Sequence, residues 1–434
     1  MSLSEGAGER CGRRVRQKIT TPHMGEDDWE LVPASEARKW HLTEPECVSG
    51  AALPYRIPRN ATMLDIFLLV FTPQLYDSLK QALGVEISLR RFYEVTAIRV
   101  FIQFMSTPPR RGTIEAPLRT SLNAALDAFK AEGIIAISHN TFARDFGRLY
   151  FPPEWIRQNL TTALDELVQY GSFLVLDEKL KKYTGASPCT RTILTKPDKV
   201  GHWVSQVCVY LAADIVYCTR LYPVTAPTDG TTNRTSDLVE WATVGAPVLS
   251  NGKKPTMIAD SFYLDAAGLQ FLQQSQIPFV CALSSVRFPG LFRMAERELH
   301  RTESKNLKWI AFKNTANNLR FVYRQTDASR TPKIVISNAF TNGASRGAAY
   351  IPIWDEYGYA ASACDEFNKQ LAGRYWPFRR MGWMKGIDDL AFTASLIDIF
   401  NLYRSTTQQG SYNTQLAMRD LAFSLYKHAQ TLSY

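Results

Sequence analysis

Two short apolar runs that each end in an aspartate constrain this chain more than any other feature. Phe173-Leu174-Val175-Leu176 closes at Asp177, and Pro255-Thr256-Met257-Ile258-Ala259 closes at Asp260. Short apolar runs bounded by polar residues read as buried strands. An acid at the carboxyl end of such a strand lies where open α/β sheets present their ligand crevice. A third acid, Asp365, follows Ser362 in the S-x-x-D pattern that opens a helix, and a helix packed on the sheet can lean that acid into the same crevice. Three converging carboxylates repel one another unless a cation shares them. Magnesium is the natural occupant, a hard ion that takes oxygen ligands and leaves room for phosphate oxygens, with manganese as the alternative. Two such ions roughly 4 Å apart activate the attacking oxygen and stabilise the leaving one in phosphodiester chemistry. With 41 acidic residues among 434, spacing alone does not separate this trio from ordinary solvated strand ends.

Both runs sit within a change of periodicity. Residues 1–56 mix Gly, Pro, Ser and charge and are expected to form a flexible, basic and polar N-terminal arm. Over 57–172 the spacing is helical: Phe92, Val95, Ile98, Ile102 and Met105 recur every three or four residues until Pro108-Pro109 stops the helix. From Phe173 strands take over. FLVLD, TRTIL at 190–194 and WVSQVCVYLA at 203–212 predict three hairpin-linked strands. A helix around 237–243, the strand PTMIAD, a helix over 266–274 and the strand IPFVCAL at 277–283 follow. That succession is the ribonuclease H-like order, and right-handed crossovers set Asp177 and Asp260 on neighbouring central strands. Side chains alternate along a strand, which sends Glu178 to the face opposite Asp177 and leaves it out of the site.

WIAF, LRFVY and KIVIS, between 284 and 349, alternate with Asn, Thr and Ser turns and predict a β-rich insertion. Residues 350–375 then supply the helix with Asp365, and Phe392, Leu396, Ile399 and Tyr403 restore helical spacing within 376–434. The expected fold is α/β: a ribonuclease H-like catalytic core over 173–283 and 350–375, a β-rich insertion over 284–349, and a helical domain.

At 434 residues the chain has room for two to four domains and a substantial core. A net charge of +9 favours a polyanionic partner. The seven cysteines are odd in number and contain no C-x-x-C pair, which argues for a reducing compartment and against a zinc module. No apolar run approaches the ~18 residues needed to span a bilayer, and the first residues hold no apolar signal core. Arg10, Arg13, Arg14, Arg16 and Lys18 form a basic cluster that suits nuclear import or a solvated tail. Phosphate-cradling glycine motifs are absent from the sequence, and none of the six histidines pairs at metal-ligand spacing.

Several blocks, in order, carry a resemblance. SFLVLDEKLKKYTG at 172–185 and TKPDKVGHWVSQVC at 195–208 resemble an acid-bearing strand, a basic loop and a K-P-x-K-x-G-like turn of the piggyBac family of cut-and-paste DNA transposases. IADSFY at 258–263, CALSSVRFPG at 281–290, and the stretch from Ile351 through Tyr357 to Asp365 resemble its second, connecting and third blocks. ISHNTFARDFGRLYF at 137–151 resembles an upstream helix, so the likeness runs over roughly residues 57–404. The resemblance implies that Asp177, Asp260 and Asp365 ligate two magnesium ions. It further implies that the chain binds double-stranded DNA at transposon ends and an AT-rich target, acts in the nucleus, and forms a homodimer. The helical domain would be discontinuous, 57–172 joined by 376–434, and would serve dimerisation and DNA binding. The family's second acid three residues after its last aspartate is Asn368 here, an oxygen ligand without charge, and its residues just before that aspartate are replaced by Ala363 and Cys364. The family's cysteine-rich zinc domain has no match in this chain.

Phosphate contacts are expected from Lys196 and Lys199 in the loop after the first block, from Arg287, and from Arg374, Arg379 and Arg380 in the aromatic-rich stretch RYWPFRRMGWMK. Two other readings stay open: a domesticated DNA-binding protein that keeps the transposase fold without cleaving, and a structural or dimerisation module whose aspartates are only element ends.

Overall fold

The structure is a computed structural model and describes residues 28–42, 53–54, 56–105, 118–182, 190–192, 200–212, 215–223, 235–246, 254–301, 308–326, 329–345, 351–372, 383–407 and 413–433. Lys196, Lys199, Arg374, Arg379, Arg380 and the basic cluster at 10–18 lie outside the described residues.

The two runs that close in aspartate are neighbouring strands at the centre of a ten-stranded sheet. Its order is Glu30–Val32, Trp309–Asn314, Leu319–Thr326, Ser329–Ser337, Phe279–Leu283, Thr256–Ala259, Phe173–Lys182, Val200–Ala212, Thr190–Thr192, with Ile215–Pro223 also paired to Val200–Ala212. The pairings of Thr256–Ala259 with Phe173–Lys182 and with Phe279–Leu283 are parallel, and every other pairing is antiparallel. Parallel strands are covered on both faces, which explains why Met257, Ile258 and Ala259 are all buried without alternation.

Helix Pro352–Leu371 covers one face of this centre. The Cys364 thiol donates to the Val175 carbonyl at 3.4 Å, and the Tyr357 hydroxyl donates to Ala259 O at 3.3 Å, so the helix touches both aspartate-bearing strands. This helix begins ten residues before Ser362, which sits inside it and donates back to Tyr359 O at 2.6 Å rather than capping an N-terminus. Helix Trp383–Thr407 is bolted to strand Ile215–Pro223 by Asp398 and Asn401, which bond Cys218 N at 2.7 Å and Val216 O at 2.6 Å. Helix Thr414–Thr431 lies on Leu89–Met105, with Phe423 against Phe101 and Phe129, and the apolar residues of these helices share one core with the central strands. No helix among the described residues is long and apolar enough to cross a membrane.

Three features depart from the sequence reading. Ile215–Pro223 is a full strand beside Val200–Ala212, and TRTIL contributes, among the described residues, Thr190–Thr192 at the outer edge. Arg220 disguises that strand. It is buried because its guanidinium bonds the Asp165 carboxylate and the carbonyls of Trp241, Ala242 and Val244 at the end of helix Thr235–Thr243. Second, the stretch expected as an insertion extends the central sheet: Ser329–Ser337 pairs antiparallel with Phe279–Leu283 and covers an edge that would otherwise stand open. Helix Pro289–Arg301 precedes it.

Third, part of the expected flexible arm is built into the protein. Glu30–Val32 adds to Trp309–Asn314, and Trp40–Leu42 pairs with Phe340–Asn342. Trp40 is fully buried, and the Arg320 guanidinium lies 4.7 Å from its ring and 3.5 Å from that of Phe340. This local apolar and cation–π packing outweighs the polar composition of the segment.

Candidate metal centre

Asp177 and Asp260 meet because their strands run parallel with Leu176 opposite Ala259, so each acid is the next residue where that pairing ends. Asp260 leaves the sheet there, whereas Asp177, expected from the sequence to close its strand, lies within a strand that runs on to Lys182 paired with Val200–Ala212. One carboxylate oxygen each from Asp177, Glu178 and Asp260 lie within 4.8 Å of one another. Local backbone bonds aim the aspartates: Asp177 Oδ1 accepts the Glu178 N–H at 2.7 Å, and Asp260 Oδ1 accepts the Phe262 N–H at 2.7 Å. Glu178, only 7% exposed, is therefore part of the cluster, contrary to the expectation from alternation. The Asp177 carboxylate curls back along its own backbone onto the Glu178 N–H instead of standing away from the strand.

Two tyrosines, the buried Tyr263 and the half-buried Tyr357, register the negative charge. Burial above all pushes the Tyr263 phenol well above its usual range, and Glu178, Asp177 and Asp260 raise it further against a bond to Ser205. Tyr357 is likewise raised, first by burial and then by Asp260, Cys281 and Asp177. Ser205 is the cross-strand partner of Glu178, and its hydroxyl lies 3.2 Å from that of Tyr263.

Asp365 is exposed and is not a member of the three-carboxylate cluster. Its helix nonetheless docks on the cluster's strand. Burial pushes the Cys364 thiol up to about 11, and both Asp177 and Asp365 act on that thiol in the same direction. One turn on, Asn368 Oδ1 accepts from Gln206 Nε2 at 3.2 Å, and Gln206 pairs with Asp177 across the sheet. Arg287, half-buried, donates to the carbonyls of Phe262 and Leu264 in the loop after Asp260, an engagement that no sequence pattern reveals.

The donor set fits a hard divalent cation: three carboxylates, with no histidine or thiolate in the cluster. Here Glu178 is buried, and the two aspartates stand on adjacent central strands, Asp177 within one and Asp260 just past the end of the other.

No family profile matches the chain, and no curated protein matches it. Among solved structures, the chain is similar to the piggyBac transposase in a cryo-EM structure of its synaptic complex with hairpin DNA, at a TM-score of 0.64 and 14% identity, over 87% of this chain and 83% of that one. At that identity the likeness concerns architecture alone: the chain has a transposase-like, mixed α/β fold.

Proposed function

We propose that this protein is a piggyBac-like DNA transposase, cutting and joining DNA strands with a divalent metal held by Asp177 and Asp260. The observation that carries the reading is the meeting of these two carboxylates and Glu178 where the parallel pairing of two central strands ends. Strand order supports a ribonuclease H-like core, since Ile215–Pro223, Val200–Ala212 and Phe173–Lys182 run antiparallel and are followed by Thr256–Ala259 and Phe279–Leu283 in parallel.

Asp177 and Asp260 would hold magnesium or manganese, with Glu178 adding a third oxygen and Asp365 and Asn368 approaching on their helix. Bound there, the metal supplies activation of an attacking water or 3′ hydroxyl and charge stabilisation at the scissile phosphate. The chain's own task is to orient the carboxylates, which the N–H groups of Glu178 and Phe262 do. Lys196, Lys199, Arg374, Arg379 and Arg380 are the proposed phosphate contacts on duplex DNA, in a nuclear homodimer. The exposed Asp365 favours one further reading, a DNA-binding protein that keeps the fold without cleaving.

Nicking of supercoiled plasmid by the full chain in Mn2+, and its loss in Asp177→Asn and Asp260→Asn, tests the proposal. Salt-sensitive duplex binding without Mn2+-dependent nicking selects the non-cleaving reading, and absence of both removes the nucleic-acid assignment. Each phosphate contact contributes about 0.9 to the slope of log affinity against log salt, so changing Arg379 and Arg380 together to alanine should flatten it by roughly two units.

A further inference from the structure

We propose that Arg287 is a positioning residue for the Asp260 carboxylate, an assignment that rests on the metal-site reading above. Arg287 lies in the turn after strand Phe279–Leu283, where Arg287 N and Phe288 N donate to Ser284 O at 3.1 and 2.9 Å. That strand runs parallel to Thr256–Ala259 with Cys281 opposite Ala259, so the Arg287 turn and the Asp260 loop leave the same end of the sheet.

The guanidinium grips this loop twice over. Nη1 donates to Phe262 O and, at 3.3 Å, to Leu264 O, and Cζ sits 5.3 Å from the centre of the Phe262 ring. Phe262 in turn donates its N–H to Asp260 Oδ1 at 2.7 Å. One residue is thus held by arginine at its carbonyl and ring while its N–H orients the carboxylate. On the sheet side the Phe262 ring meets Trp203 edge-on at 4.7 Å, and the Tyr263 hydroxyl meets Ser205. These contacts close the loop between Val200–Ala212 and Arg287, and the guanidinium is their cationic member.

The arrangement answers a physical need. Before a cation binds, the carboxylates of Asp177, Glu178 and Asp260 repel one another, and the Asp260 loop is the part of the cluster that no strand pairing holds. A planar guanidinium can fork between two carbonyls and stack on a ring at once, whereas an ammonium acts as a point charge. Nη1 is turned to the two carbonyls of the Asp260 loop, which gives Arg287 a contact inside the protein that a phosphate contact alone would not require.

The test uses the full-length chain with Mn2+ as the probe, its binding read by electron paramagnetic resonance and by calorimetry, beside duplex binding across a salt series. Arg287→Gln should weaken Mn2+ binding by about tenfold or more, the scale of losing a group that orients a metal ligand, and Arg287→Lys should weaken it less. The slope of DNA affinity against salt should not change in either variant. Unchanged Mn2+ affinity in Arg287→Gln overturns the assignment, and a slope flattened by about 0.9 with Mn2+ affinity intact makes Arg287 a phosphate contact instead. If Arg287→Gln does not fold, Arg287→Lys decides: wild-type Mn2+ affinity there overturns the forked-donor argument. A wild-type chain that binds no Mn2+ overturns the metal-site reading itself, and this assignment with it.

Discussion

The side-chain oxygen of Asn368 accepts a hydrogen bond of 3.2 Å from the Gln206 amide, and Gln206 is the cross-strand partner of Asp177. The uncharged amide thus lies one residue away from the acidic cluster, on the helix that carries Asp365. Asn368→Asp keeps an acceptor for Gln206 and adds a negative charge. It should lower stability without metal by on the order of 1 kcal/mol, the scale of two charges about 4 Å apart in water. It should also enlarge the stabilisation given by Mn2+. Melting curves with and without Mn2+ check both; equal curves for variant and wild type would place residue 368 beyond the reach of the cluster.

Asp177→Asn and Asp260→Asn each remove one charge from three crowded carboxylates. Both variants should be at least as stable as the wild type in chelator, since repulsion falls. A cation present at about 100 times its Kd stabilises the folded state by about 2.7 kcal/mol, and each variant should lose most of that gain. Denaturant titrations in EDTA and in Mn2+ measure the two halves of this expectation.

Asp398 lies in the core, its Oδ1 accepting Cys218 N and its Oδ2 buried without a partner among the described residues. Burial holds its carboxyl well above the usual aspartate value, outweighing the Cys218 bond. An acid raised on folding contributes stability that is full below its unfolded pKa and is lost as pH rises through the folded one. Asp398→Asn keeps the acceptor and removes the charge, so it should match the wild type near pH 4 and exceed it at pH 8 by about 1–3 kcal/mol. Thermal unfolding across that range checks the divergence; parallel curves would contradict it.

Glu356 ties the N-terminal segment to the helix of Asp365: its carboxylate meets His41 Nδ1 at 2.9 Å and Leu42 N at 2.7 Å. Glu356→Ala leaves both groups without this partner and should cost about 1–3 kcal/mol. Urea denaturation gives the cost, and limited proteolysis should show faster cutting near residues 40–42. Unaltered stability would mean that Trp40 packing alone holds the segment.

By itself, the sequence determined the pieces whose signal is local. FLVLD and PTMIAD lie in strands because short apolar runs bounded by polar residues bury on both faces, and their acids come level because crossover connections make the strands parallel, although the first strand runs on past Asp177 to Lys182. What only the tertiary structure decided depends on partners far along the chain. Arg220 is buried in a strand because Asp165 and a helix end receive it, and residues 30–42 are ordered because Trp309–Asn314 and Phe340–Asn342 offer them edges. Glu178 joins Asp177 because the Asp177 carboxylate turns back onto its own backbone within the strand, which alternation cannot foresee. Arg287 reads in sequence as a basic residue near a crevice; only the approach of two loops at the same end of two central strands turns its Nη1 onto carbonyls. Periodicity encodes which face of an element is apolar, whereas the destination of a charged side chain is set by whichever distant groups the fold brings within hydrogen-bonding reach.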